Sequence, residues 1–169
     1  VEAQDFIATY TPHDDYLFIR LAKSILGGEW LGPYDQVTLI KGPGYPLFIA
    51  LSYYAGIPLL LAQQLAYSAA CLLAVAALRP LCSHRAVLLA LFILLLLNPF
   101  AFAYPISGRS LRIGLSLPLT LTTFSLMIGL LVRARAPLLK QKLWAAGLGL
   151  STSWLLLTRE EGVWLAPSL

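Results

Sequence analysis

No Asp or Glu lies between Asp35 and Glu160, and no charged residue of either sign occurs from Gly44 to Leu78. Charged residues make up only 12% of the chain, against about a quarter in ordinary soluble domains. That scarcity, with 59% hydrophobic residues and a mean hydropathy of +0.76, excludes an ordinary soluble domain and points to an integral membrane protein. Cysteine is nearly absent too: Cys71 falls in an apolar run and Cys82 in the loop after it. They lie roughly 16 Å apart along a helix axis, too far for a bridge within one helix. No Cys and His cluster has metal-ligand spacing, so no metal is assigned to His13 or His84. A starting Met and a basic leader are also missing, and the last residues stop in an apolar stretch; the expectation is a piece of a longer protein. The net charge of +4 comes from basic residues in short loops between apolar runs, so no nucleic-acid partner is expected.

The apolar runs can be divided by their breaks. Each span needs about 20 apolar residues to cross roughly 30 Å of hydrocarbon. A short helix over 46–54, too short to span, ends at "AGIP". Spans are expected over 58–78, 86–104, 113–132 and 143–158, the second ending where Asn98, Pro99 and Pro105 disrupt a helix. The fourth reaches membrane length only if residues 163–165 are partly embedded. Two connections, 79–85 and 133–142, are short and basic, which places both on the cytoplasmic side. The other connections then face outward, and they hold every acid of the chain. The expected fold is all-α: a polytopic membrane helix bundle over 46–169, preceded by an outer, extracytoplasmic loop over 1–45 that carries a juxtamembrane amphipathic helix.

That helix is written in "TPHDDYLFIRLAKSILGGEW". Leu17, Phe18, Leu21, Ala22, Ile25 and Leu26 recur at three- and four-residue spacing, with Arg20, Lys23 and Ser24 on the other face. Thr11 can cap its start with Pro12 at the first helical position, and Gly27-Gly28 can end it. It should lie in the outer interface with its apolar stripe in lipid or on the bundle, at the depth also suited to Trp30, Tyr34 and Tyr45.

All ionisable groups outside the two basic loops therefore gather at one face, and none sits mid-span. A proton- or ion-coupled transporter uses polar groups near the midplane, so this pattern disfavours that class. A site at the outer interface suits transfer of a group carried on a membrane lipid. For a sugar on a polyprenyl phosphate, a carboxylate takes the acceptor's proton while cations stabilise the departing phosphate.

Three pieces in order, "DDYLFIRLA", "GGEWLGP" and "KGPGYPLFIAL", resemble the first outer loop of the GT-C type glycosyltransferases that use polyprenyl-phosphate sugars. Protein O-mannosyltransferases and the aminoarabinose transferase of lipid A are members of that group. The resemblance implies that Asp14 is the general base with Asp15 as its neighbour, and that Lys41 contacts the lipid phosphate. "LLLTREEGVWLAP" is similar to a later outer-edge motif and brings Arg159. Where the family often carries an acid in a later outer loop, this chain has Arg109 and Arg112, and Arg109 is taken with Lys41 and Arg159 to neutralise the phosphate. The resemblance implies no cofactor beyond the lipid-linked sugar donor, with divalent metal left open. It also implies membrane lipid and an acceptor of undefined class as partners, and a place in the cell (inner) membrane with an extracytoplasmic active face.

Plainer readings stand beside these. Asp14, at the third helical position, can act as a reciprocal cap, and Asp15 favours the positive end of the helix dipole, worth about 0.3–1 kcal/mol. Lys41 can snorkel to headgroups, Arg109 and Arg112 can be interfacial anchors, and Arg159 can pair with Glu160 or Glu161. The competing function is a non-enzymatic membrane component, either a lipid-binding scaffold or part of a transporter. Enzyme and scaffold differ in whether Asp14, Lys41 and Arg159 converge from distant sequence positions.

Overall fold

The computed structural model describes residues 14–30, 32, 42–98 and 112–159, with the side chains of Asp14 and Asp15 outside that description. The described residues form six helices and no strand: α1 (Asp14–Leu26), α2 (Gly44–Tyr54), α3 (Leu59–Leu78), α4 (Arg85–Leu96), α5 (Ile113–Val132) and α6 (Leu138–Thr158). Two of them, α3 and α5, are long and apolar enough to cross a membrane. Each has 20 residues, a rise of about 30 Å.

The helix ends follow the glycines and prolines. Gly28 takes a φ of 80°, and its amide and that of Glu29 return to the carbonyls of Ile25 and Ser24 at 3.1 and 3.0 Å. This paired closure satisfies the last carbonyls of α1 and needs a residue that tolerates the left-handed region. Gly56, at φ 69°, closes α2 in the same way, with the Gly56 and Ile57 amides on Tyr53 and Ser52, and Pro58 then precedes α3. Helix α4 is shorter than the 86–104 span expected of it. It stops at Leu96 after 12 residues, about 18 Å, because Asn98 precedes a proline and is steered out of the helical region. The Tyr67 hydroxyl donates to the Leu95 carbonyl at 2.6 Å and satisfies one of the groups the ending leaves open. Helix α6, by contrast, begins at Leu138 rather than 143, and its 21 residues reach membrane length without residues 163–165. Its first turns carry Lys140, Gln141 and Lys142, which keeps it outside the two strongly apolar helices.

Side-chain contacts give the helix directions. Gln63 meets Gly114 near the start of α3 and α5, while Arg133, just past α5, reaches Ala76 and Ala77 near the end of α3; the two helices run parallel. Thr123 meets Ser151 and Gly129 meets Trp144, so α6 runs antiparallel to α5. The α3–α5 contact is the most extensive in the fold. Small residues are prominent among those buried in the two helices, Ala70, Cys71, Ala74 and Ala77 on α3 and Ser116 and Ser125 on α5, while Gly129 makes room for Trp144 of α6. Such residues let helix backbones approach closely where lipid replaces water. Ser125 and Thr120 return their hydroxyls to carbonyls one turn back, at 2.6 and 2.8 Å, so neither carries an open donor. Cys71 and Cys82 are both free.

Both basic loops consequently sit at one end of these helices, as expected of loops on a common side. Arg133 ties them together. Its guanidinium donates to Ala77, Gly129 and Ala76 carbonyls at 3.1, 3.2 and 2.7 Å and lies 4.3 Å from the centre of the Trp144 ring.

Candidate functional site

The opposite end collects the starts of α3 and α5 and the finish of α6. Helix α2 begins against Thr158, the last residue of α6, and only residues 55–58 separate its end from the start of α3. It therefore runs across this end of the body rather than along it, consistent with a length too short to span. Helix α1 packs on α2.

The apolar stripe of α1 faces protein. Leu17, Phe18, Leu21 and Ala22 are buried, and only Leu26, of the six stripe residues, is exposed. Of the two expected placements, in lipid or on the bundle, the stripe adopts the second. Phe18 stands edge-on to Tyr45, ring centres 5.1 Å apart at 86°, in a cluster with Leu115 to which Phe48, Ile49, Leu119 and Trp154 add their sides. Tyr45, expected in an interfacial belt, is instead completely buried; its hydroxyl accepts a 2.9 Å bond from Gln63 Nε2, which removes the cost of burying it. Trp30 is 60% exposed.

The turn "GPGYP" is seated on the end of α6. A Cβ on Gly42 would collide with the Leu157 carbonyl, and one on Gly44 would lie 2.5 Å from Thr158 Oγ1. The glycines at these positions are explained by this close backbone approach. Trp154 Nε1 donates to the Gly44 carbonyl at 3.2 Å, and Thr158 Oγ1 donates to Trp154 at 2.8 Å. Arg159 follows as the residue closing α6.

The expected site residues are distributed as follows. Asp14 and Asp15 are the first two residues of α1, and Phe18 is one turn after Asp14. Arg112, at the start of α5, holds its guanidinium carbon 5.7 Å from the centre of the Phe18 ring. Lys41 and Arg109 lie outside the described residues, as do the capping pair Thr11 and Pro12. Gly42, which follows Lys41, is the residue against Leu157, two positions before Arg159. The described chain thus brings three sequence-distant pieces to one end: the start of α1, the turn into α2, and the end of α6. Arg112 joins them. The resemblance puts forward Arg109 rather than Arg112; Arg109 lies outside the described residues, and Arg112 is the arginine seen against Phe18. Gln63, Trp154 and Thr158 carried no sequence signal beyond being polar or aromatic residues near span ends.

Chemically, this end carries Asp14 and Asp15 in the first turn of α1 and Arg112 and Arg159 where α5 starts and α6 finishes; a planar guanidinium suits phosphate oxygens. Among the described residues no group of His, Cys, Asp and Glu is arranged to hold a metal ion. Comparison with family models, with curated proteins and with solved structures finds no match.

Proposed function

We propose that this chain is part of a polytopic membrane glycosyltransferase that moves a sugar from a polyprenyl-phosphate donor to an extracytoplasmic acceptor. The observation that supports it is the convergence of the α1 start, the glycine turn after Lys41, Arg112 and the Arg159 end of α6 at the end remote from the basic loops. In this reading four helices, α3 to α6, belong to a membrane bundle, and the basic end is cytoplasmic. The large exposed apolar side chains of α3, α4 and α6, among them Leu61, Leu72, Leu94 and Leu150, are then covered by lipid or by further helices rather than water.

The mechanism is displacement at the anomeric carbon. Asp14 takes the proton from the acceptor nucleophile as its new bond to the sugar forms, with Asp15 beside it. The bond to the phosphate oxygen breaks with its electron pair, and Lys41, Arg109 and Arg159 neutralise the charge that develops there. Asp14→Asn should abolish donor-dependent transfer by the full-length protein while membrane insertion is unchanged. Turnover equal to the parent's removes Asp14 as the base.

A non-enzymatic membrane component is the second reading. The observation that favours it is the density of the centre: Phe18 and Tyr45 are 1% and 0% exposed, so aromatic packing by itself accounts for why these elements meet.

A further inference from the structure

The end of the bundle that carries the two basic loops presents a charged face that the transfer reaction does not use. Arg79, Arg85, Arg135, Lys140 and Lys142 are all exposed there, and among the described residues none of these side chains has a hydrogen-bond or ion-pair partner. The sequence holds no acid between Asp35 and Glu160 that could supply one. Both connections, 79–84 and 133–137, lie wholly within the described residues. Arg133 is the exception: its charge is spent on the ends of α3 and α5, whose carbonyls carry the negative ends of their dipoles. The helices that begin here, α4 and α6, have neither a side-chain cap nor an acid in the first turn, and carry Arg85 and Lys140 there instead. Positive charge is left uncompensated.

The loop between α5 and α6 is closed by its own hydrogen bonds. The Ala136 amide donates to the Arg133 carbonyl at 2.8 Å, and Gln141 Nε2 donates to the Ala134 and Ala136 carbonyls at 2.8 and 2.9 Å. Arg135 therefore stands on a fixed bend braced by Gln141, which Lys140 and Lys142 flank. Because Arg133 fastens this bend to Ala76 and Ala77, Arg79 follows just past the same clamp, and charges from both loops share one face. Two features select the occupant. The charge calls for an anion, and the cations stand among exposed leucines, Leu81, Leu131, Leu138 and Leu139, which a soluble anion would leave in water. A phosphate that carries acyl chains meets both demands, at the depth where a basic juxtamembrane face meets the charged surface of a bilayer. We propose that this end binds anionic phospholipid, with Arg79, Arg135 and Lys140 on the headgroup and its acyl chains along the leucines. The inference rests on the membrane placement in the reading above and is independent of sugar transfer.

The test is lipid retention by the purified whole chain in mild detergent, counted by native mass spectrometry during titration with phosphatidylglycerol or phosphatidylcholine. Phosphatidylglycerol should be retained about fivefold or more over phosphatidylcholine, the scale of one cation at a charged surface. Joint Arg135→Gln and Lys140→Gln should bring phosphatidylglycerol down to the phosphatidylcholine level while phosphatidylcholine itself is unchanged, which separates lost charge from lost fold. Joint Arg135→Lys and Lys140→Arg keeps the charge and should keep the preference. Lys23→Gln, which removes one cation at the opposite end, should keep it too. A parent without the preference, a charge-deleted chain that retains it, or a loss with Lys23→Gln as large as with Lys140→Gln would overturn the assignment. Glycerophosphoglycerol, the headgroup without acyl chains, should compete only at far higher concentration; equal potency of it, or of an acidic peptide, would assign the face to a soluble partner and overturn the lipid. Membrane placement is read separately, by alkaline extraction of the chain from vesicles. Lost preference in a chain that stays in the bilayer therefore counts against this site alone and leaves the transfer reaction untouched.

Discussion

Gly44→Ala is the perturbation that most sharply probes the seating of the glycine turn on α6. A methyl group at Gly44 would stand 2.5 Å from Thr158 Oγ1 and 2.8 Å from both the Leu157 carbonyl carbon and the Thr158 amide nitrogen. Two of these atoms are backbone within a helix and cannot swing aside. Ordinary contact needs about 3.5–4.0 Å, so the turn has to retreat by about 1 Å. The Trp154 bond to the Gly44 carbonyl, already 3.2 Å long, is lost in that movement. Overpacking costs about 1–3 kcal/mol and the bond about 0.5–1.5, so a loss of about 2–4 kcal/mol follows. Equilibrium unfolding in mixed micelles, followed by tryptophan fluorescence, reads it. Gly149→Ala is the control: nothing lies within 4 Å of a Cβ there, and alanine's better helix propensity should leave stability equal or raised by about 0.5–1 kcal/mol. If transfer activity depends on the turn, a 1 Å displacement also lowers it by roughly a hundredfold. Equal stability of Gly44→Ala and Gly149→Ala would refute the seating.

Arg133→Ala should destabilise the basic end by about 2–4 kcal/mol, through three lost carbonyl bonds and the stacking on Trp144. Arg133→Lys should recover little of this, since an ammonium lacks the planar fork; full recovery in the same unfolding titration would contradict the geometry. Thr123 and Ser151 share a 2.8 Å hydroxyl bond between α5 and α6. A double-mutant cycle with Thr123→Val and Ser151→Ala should give a coupling of about 0.6 kcal/mol, the usual scale for such bonds between membrane helices. Strict additivity would show that the pair does not interact.

The punctuation of this fold was readable in advance, because it depends on local backbone chemistry. Gly27-Gly28, "AGIP" and Asn98-Pro99 end α1, α2 and α4 through left-handed glycines and the restriction before proline, and no tertiary contact is needed to see that. The amphipathic spacing of α1 was likewise visible, but which partner its stripe meets depends on α2, which comes much later in the chain. The beginning of α6 was hidden for a different reason. Lys140, Gln141 and Lys142 dilute the apolar signal over the first turns, although they do not oppose helix formation. Tyr45 shows the limit of reading one residue at a time. A tyrosine flanking a span suggests an interface, whereas Gln63, eighteen positions away, supplies the bond that lets it be buried. The glycines of the "KGPGYP" turn were equally ambiguous, since close approach to a ligand and close approach to another helix require the same missing side chain. Only Leu157 and Thr158 decide between them. Of the proposed site, sequence supplied the residue types; the approach of the turn into α2 to the end of α6 rests on backbone contacts between remote segments.

That convergence is tested most directly by crosslinking. In a background with Cys71 and Cys82 replaced by serine, cysteines at Lys41 and Arg159 should be joined rapidly by a short bismaleimide. A cysteine pair at Lys41 and Arg85 should remain unlinked under the same conditions, because Gly42 sits on the finish of α6 whereas Arg85 begins α4 just beyond the end of α3. Failure of the first pair to link, or equal linking of both, would contradict the account.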